Sequence, residues 1–430
     1  MSLSRRGVVA LAVSTLVLAA CGGQGGAGGT AGGPASSGGK VTVEWWNIST
    51  TEPLKSFWAQ KVKEYQAAHP NVTIKNVPIE NEAFKAKIAT ATQSGKTPDI
   101  YTTWGGGVLK QQVDAGLVKD LSSEAATWIA DFTTAALQAY QFDAKTYGIP
   151  TDIGMVGFWY NKALFAKAGV TTPPTTWAEF LDVVKKLKAA GITPIALAGK
   201  EKWPGHYYWA YLAMRVAGLD ALKQAAVDHD FTKPGFVAAG AHLKELVDLQ
   251  PFQKGFLGAA YSTPDGQAAT MGNGKAAIEL MGQWAPTVEK DAGKGIGKDL
   301  GFFPFPTVEG GKGSAGDVFG GGGGYAIGAG APKEAVDFLK FISSKEVHRQ
   351  AVETGAVLPV LKGEEDAVKD PNLAVVAKAL AGASGFQLYL DQAYPPAVGQ
   401  EVNDSVAALI AGSKSPEQVT QAITETAKNE

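Results

Sequence analysis

The residues best suited to chemistry in this chain are tryptophans set among glycines, with a few acids and amides near them. Trp104 stands in Thr103-Trp-Gly-Gly-Gly107, where Gly105 and its neighbours leave the backbone bare for close approach. Trp284 follows an apolar run in Gly282-Gln-Trp-Ala285, and Trp203 stands in Lys202-Trp-Pro-Gly-His206, which reads as an exposed loop. A flat apolar ring beside hydrogen-bonding groups suits a ligand with apolar faces and a polar edge. The same ring can pack a core, and both readings stand for each of the three. Trp45, Trp58 and Trp177 fall at regular core spacing and read as packing. Asp152 and Asp391 are the acidic candidates: each can accept two charge-assisted hydrogen bonds from hydroxyls, or cap a helix, or sit on the surface. Asn47 can bind hydroxyls or cap a turn.

Patterns that would do catalysis are missing. There is no Gly-x-Ser-x-Gly elbow. The five histidines, at 69, 206, 229, 242 and 348, lack metal-ligand spacing. No dedicated acid pair is evident, and Glu364-Glu365-Asp366 reads as a solvated face. The five glycines of 320–324 lead into Tyr325 rather than a lysine, and Gly95-Lys96-Thr97 is preceded by Thr90 where a phosphate loop has glycine. The run around Gly322 and Gly323 reads instead as bare backbone lining a cleft, where side chains would collide with a ligand. The formal net charge is −2, with both signs interspersed and no basic stripe, which argues against nucleic acid. Ten tryptophans with unremarkable charge suit a neutral polar ligand, and no cofactor is implied.

Elements must bring these residues together. Val41–Trp46 alternates as a strand, with the polar loop 47–52 at its carboxyl end. Pro53 opens a helix on which Leu54, Phe57, Trp58, Val62 and Tyr65 keep helical spacing. A second strand over 72–77, a helix over about 83–92 and a third strand over 97–101 complete a β-α-β-α-β order. That order predicts an α/β lobe with a mainly parallel sheet. Ligands of such sheets lie beyond the carboxyl ends of the strands, where the loops 47–52 and 103–107 fall. Further strands are predicted at 155–160, 193–197, 275–281, 301–306 and 324–328. Thr176 and Glu179 form a capping box for a helix to about Ala190. Residues 203–250 and the stretch from Pro332 onward read as helical, the latter broken at Pro395-Pro396.

The amino-terminal region reads as an export signal. Arg5 and Arg6 precede an apolar run of thirteen residues, Val8–Ala20, too short to span a bilayer. It ends in Leu18-Ala19-Ala20-Cys21, which resembles a bacterial lipobox with Cys21 as the lipidated residue; Cys21 is the only cysteine. Residues 21–40 are mostly Gly, Ala, Ser and Thr and read as a flexible tether, leaving a body of about 390 residues.

Five stretches carry a resemblance: Val43-Glu-Trp-Trp46, Ser94-Gly-Lys-Thr-Pro-Asp-Ile100, Gly154 through Tyr160-Asn-Lys162, Pro174-Thr-Thr-Trp-Ala-Glu-Phe180, and Gly274-Lys-Ala-Ala-Ile278 through Trp284. In this order they resemble the extracellular solute-binding proteins of bacterial ABC sugar importers, the class that includes maltose-binding proteins. Within it the chain is most similar to actinobacterial lipoproteins for plant-wall or chitin oligosaccharides. The resemblance implies two α/β lobes, 41–151 with 304–345 and 152–303 with 346–430. Crossings are expected near 151–154, 300–306 and 343–348. It implies a monomer that works with membrane permease subunits and binds a small oligosaccharide, with xylobiose or a longer xylo-oligosaccharide the first choice and cellobiose and chitobiose the alternatives. It also implies a stacking role for Trp284, with Asn47, Trp104, Gly105, Asp152, Trp203, Gly322, Gly323 and Asp391 as further contacts. A secreted carbohydrate-active enzyme or an adhesin on the same fold are the rival readings.

Overall fold

A computed structural model describes residues 39–430; the expected signal segment, Cys21 and nearly all of the tether lie outside the described residues. The first lobe starts on β1 (Val41–Asn47), whose alternate residues Val43, Trp45 and Asn47 are buried. α1 (Leu54–Ala68), β2 (Val72–Pro78), α2 (Asn81–Gln93), β3 (Ile100–Thr103) and α3 (Gly106–Asp114) follow. β2 and β3 pair parallel to β1 on either side, as helical crossovers require. The Glu80 carboxylate caps α2 by accepting from the backbone N–H groups of Glu82 and Ala83. The short β4 (Ile149–Pro150) reaches the edge of this sheet.

The second lobe begins with β5 (Gly154–Met155) and β6 (Gly157–Asn161). Asn161 caps α4 (Lys162–Lys167), and the predicted Thr176–Glu179 box starts α5 (Trp177–Ala189). Then come β7 (Thr193–Ile195), α6 (Trp203–Val216), α7 (Leu219–Asp228), α8 (Pro234–Asp248), α9 (Gln267–Gly272), β8 (Ala276–Met281), α10 (Ala285–Ala292), β9 (Leu300–Phe303) and β10 (Asp317–Gly321). β11 (Gly324–Ile327), α11 (Lys333–Ile342) and α12 (Lys345–Glu353) return to the first lobe. The chain closes with α13 (Pro371–Ala381), β12 (Gly385–Leu388), α14 (Leu390–Ala393), α15 (Pro396–Ile410) and α16 (Pro416–Lys428).

The fold is α/β in two lobes, but its sheets are mixed rather than mainly parallel. The first sheet runs β2-β1-β3-β11-β4, and β11 is antiparallel to both neighbours. The second runs β9-β6-β8-β7, with β6 antiparallel to β8 and β9. A third sheet, β12-β10-β5, was not expected, because Asp-Val-Phe-Gly-Gly and Gly-Phe-Gln-Leu are short and glycine-bearing.

Two chain segments pass side by side between the first and third sheets. Ile149 and Pro150 pair with Tyr325 and Gly324, and Gly154 and Met155 pair with Gly321 and Gly320. The partner of the 151–154 crossing is therefore 321–324, not 300–306. β9 stays in the second lobe by pairing with β6, and Phe305 stacks on Tyr211 with ring centroids 4.6 Å apart. Phe305, Val308, Val318 and Phe319 all belong to the second core. Val347, Ala351, Val352, Val357 and Val360 belong to the first, so the lobe change expected at 343–348 comes later in the chain.

Candidate functional site

A cleft of about 260 Å³ opens among loops of both lobes. One wall is a continuous row of aromatic rings from the second lobe. Trp284 meets Tyr389 edge-on at 6.3 Å, Tyr389 stacks on Tyr207 at 5.6 Å, Tyr207 meets Trp203 at 5.5 Å, and Trp203 meets Tyr261 edge-on at 5.5 Å. The row is assembled from distant segments: Trp284 precedes α10, Tyr389 precedes α14, Trp203 and Tyr207 lie on the first turns of α6, and Tyr261 comes from the loop before α9. Trp104 stands on the first-lobe side, its ring braced edge-on by Phe84 at 5.9 Å. Lys85 of α2 lies between the two sides: its Nζ is 5.8 Å from the Trp104 ring centre, 5.7 Å from that of Trp203 and 4.0 Å from Asp391 Oδ2.

Acids and amides rim these rings. Burial pushes the Glu201 carboxyl up to about 7, and its Oε1 accepts from the Tyr261 backbone N–H at 3.0 Å. Burial likewise pushes the Asp152 carboxyl up to about 7, against the hydrogen bonds it receives from the Leu358 backbone and from Gln283. Burial holds the Tyr207 and Tyr389 phenols far above their ordinary range, so both stay neutral hydroxyls at physiological pH. Among the described residues, Trp203 Nε1 and the hydroxyls of Tyr261 and Tyr389 have no protein hydrogen-bond partner. Hydrophobic faces with neutral donors and acidic acceptors around them can hold a polyhydroxylated ring by stacking and edge hydrogen bonds.

Trp104, Asp152, Trp203, Trp284, Gly322, Gly323 and Asp391 all line the cleft. Asn47 and Gly105 do not. Asn47 is 1 % exposed; its amide donates to Asn76 Oδ1 at 2.6 Å and its carbonyl accepts from Ser49 N–H at 3.0 Å, so it fixes a turn. Gly105 starts α3 with φ +75°, and a Cβ there would stand 2.3 Å from the Ala139 carbonyl oxygen, so its glycine serves the backbone. Trp203 is no exposed loop residue: it is 7 % exposed and begins α6. The glycine run also has a different reason from the expected one. A Cβ at Gly322 would sit 1.8 Å from the Asp152 carbonyl oxygen, so what forbids side chains is the neighbouring crossing strand; only at Gly323 is there open space. Lys85, Glu201, Tyr207, Tyr261 and Tyr389 were not anticipated. Tyr207 sits on a helix buried along nearly its whole length, and the others carry no local pattern that marks a site. Glu364 is fully buried beside His348, not a solvated face.

Among the described residues, no helix is long and apolar enough to cross a membrane, and no group of three or more His, Cys, Asp or Glu is placed to hold a metal ion. Residues 48–349 match the family model for bacterial extracellular solute-binding proteins. The multiple sugar-binding protein of Streptococcus mutans is 25% identical over 348 residues, 77% of this chain and 78% of that one. A solved structure from work on xylan utilization by the thermophilic bacterium Caldanaerobius polysaccharolyticus superposes with a TM-score of 0.83 at 29% identity, covering 89% of this chain and 99% of the other. A chitin oligosaccharide binding protein superposes equally well, with a TM-score of 0.83 at 26% identity over 91% of this chain and 98% of its own.

Proposed function

The chain belongs to the bacterial extracellular solute-binding protein family, sugar-binding partners of ABC transporter permeases, and on that premise we propose that it captures a short neutral oligosaccharide outside the cell for import. The observation that carries this reading is the unbroken row Trp284–Tyr389–Tyr207–Trp203–Tyr261 facing Trp104 across a cleft of about 260 Å³. Successive sugar rings present apolar faces at intervals that such a row can meet, and the tyrosine hydroxyls and carboxylates lie where ring hydroxyls would reach. The volume is near the lower end of ligand sites, about 300–1,000 Å³, which favours a di- or trisaccharide over a polymer. A xylo-oligosaccharide such as xylobiose is the first choice, supported by the likeness to the structure from xylan work; cellobiose and chitobiose are the next two.

In this reading Cys21 carries a lipid that holds the body at the outer face of the cell membrane, and the protein binds as a monomer without turnover. The lobes are 40–150 with 324–367 and 154–321 with 371–430, and the strands through 151–154 and 321–324 form the hinge. The test is a calorimetric and thermal-shift screen of residues 40–430 against xylo-, cello-, chito- and malto-oligosaccharides, with chromatography of the sugar afterwards. Stabilisation of about 4 kcal/mol is expected at a thousandfold excess over Kd, with the sugar recovered intact. No stabilisation by any of the four, or multiple turnovers, would overturn the reading.

A further inference from the structure

We propose that Glu279 and Glu289, buried together behind the cleft wall, share one proton, and that this proton holds α10 against β8 and so positions Trp284. The inference rests on the carbohydrate-binding reading only through Trp284; the shared proton is tested without sugar.

The pair joins the two elements that carry the Trp284 loop. Glu279 lies on β8 and Glu289 on α10, and Gly282, Gln283 and Trp284 connect these elements. Both side chains are 0 % exposed and within hydrogen-bonding reach of each other. Glu279 Oε2 accepts from the Gln267 amide of α9 at 2.9 Å, and the Gln267 carbonyl is occupied by the Ala198 N–H at 2.6 Å. That leaves Glu279 Oε1 and both oxygens of Glu289 without a protein donor among the described residues. Nothing positive compensates them. Across the sheet Glu279 stands opposite Trp159, whose indole N–H is taken by the Gly282 carbonyl at 3.0 Å. From α6 and from the loop before α9 the phenols of Tyr208 and Tyr261 face the pair, and burial holds both neutral. Lys290 and Asp291, next along α10, are exposed. Two adjacent carboxylates with no cation cannot both stay ionised in the interior, whereas one proton between them gives each a partner.

Burial raises both carboxyls, Glu279 against the hydrogen bonds from Glu289 and Gln267, and Glu289 well above the ordinary carboxyl range with the Glu279 charge adding to the rise. The contribution of the pair to stability is therefore full below the ordinary value of 4.5 and is lost as pH rises through the raised values. When the proton leaves, like charges repel between β8 and α10. β8 is held on both sides by β6 and β7. The far end of α10 is jammed against α9, since a Cβ at Gly272 would stand 2.3 Å from the Glu289 carbonyl oxygen. The displacement falls on the first turn of α10, where Trp284 borders the cleft. Ionisation loosens the platform, and a sugar that holds Trp284 in place favours the protonated pair.

The experiment compares wild type, Glu289→Gln and Glu279→Gln from pH 6 to pH 9.5, because a carboxamide supplies at every pH the donor that the proton supplies. Without sugar, thermal unfolding should show both variants gaining on wild type as pH rises; a difference constant over the range overturns the shared proton. With xylobiose, cellobiose or chitobiose, whichever binds, the ratio of wild-type to variant Kd should climb across the range by about threefold to thirtyfold, the upper figure being loss of the whole Trp284 anchor. Asp152 and Glu201, which titrate near 7 at the cleft, are common to all three proteins and cancel in the ratio. Calorimetry in two buffers of different ionisation enthalpy should show wild type taking up more protons on binding at pH 9 than either variant. A Tm difference that moves with pH beside a flat Kd ratio overturns the positioning of Trp284 while leaving the sugar reading intact. Failure of all three sugars to bind at any pH overturns that reading and the positioning with it, and the unfolding measurement still decides the shared proton.

Discussion

Asp152→Asn isolates the electrostatics of the hinge. Asp152 lies where the chain first leaves the first sheet, and both its oxygens are engaged: Oδ1 with the Leu358 N–H at 2.7 Å, Oδ2 with the Gln283 amide. Its carboxyl rises from 3.8 to about 7 because dehydration in the closely paired crossing outweighs those two bonds. The folded chain thus holds a proton that the unfolded chain releases at lower pH. The sign follows: the contribution of Asp152 to stability is fullest below about pH 4 and is lost as pH rises through about 7. Three units correspond to roughly 4 kcal/mol, and partial solvent access from the cleft cuts this to about 2–4 kcal/mol. Asparagine has the same shape and no charge, and the Gln283 Oε1, which has no partner, can accept its new N–H after an amide flip. With an unfolding entropy of about 0.8 kcal/mol/K for a body of this size, the difference amounts to about 2–5 °C. Thermal unfolding of both proteins followed by circular dichroism from pH 4.5 to 8.5, without sugar, should show Asp152→Asn gaining about 2–3 °C on wild type between pH 5 and pH 8, where about two of the three units fall. A Tm difference that is the same at every pH would refute the reasoning, because other titrating groups are common to both proteins and cancel.

Trp284→Ala should weaken the bound sugar by about thirtyfold or more, since a buried aromatic anchor contributes roughly 2 kcal/mol or more, and Trp284→Phe should lose less; near-normal titration of the alanine variant would return Trp284 to packing. Cys21→Ser should abolish membrane retention in cell fractionation; a variant still processed and membrane-bound would overturn the lipid anchor. Saturation with the cognate sugar should lower the radius of gyration in small-angle scattering, because lobes joined by a few narrow chain segments close on what bridges them, and an unchanged radius would mean a rigid cleft.

Local patterns in the sequence were sufficient for most elements. The Thr176–Glu179 box and the Asn161 cap are each satisfied by contacts within a few residues, and the alternation of Val41–Asn47 shows within seven residues, so each is legible from a short window. Sheet direction is different. β11 lies between β3 and β4, and β6 between β8 and β9, pairings that join segments more than a hundred residues apart. Nothing in Gly324–Ile327 encodes an antiparallel partner at Ile100–Thr103; the pairing is settled by how the crossing strands return.

The candidate site divides along the same line, and it shows why asking whether an aromatic packs or binds was the wrong choice. A Cβ at Gly282 would stand 2.1 Å from the Trp284 ring itself. The missing side chain lets Trp284 lie back over its own strand, and that same placement turns the indole toward Tyr389 and the cleft. Trp203 is 7 % exposed, a value typical of core, and belongs to the second lobe's core while still lining the cleft. A binding wall built this way is held by the hydrophobic core beneath it, so its rings keep their positions when no ligand is present. That rigidity limits the side-chain ordering that binding must supply, which costs about 0.5–1.5 kcal/mol for each mobile side chain immobilised. The polar groups at the rim of the cleft, Asp391 and Glu201 among them, are then the part that single-residue changes can alter without moving the platform.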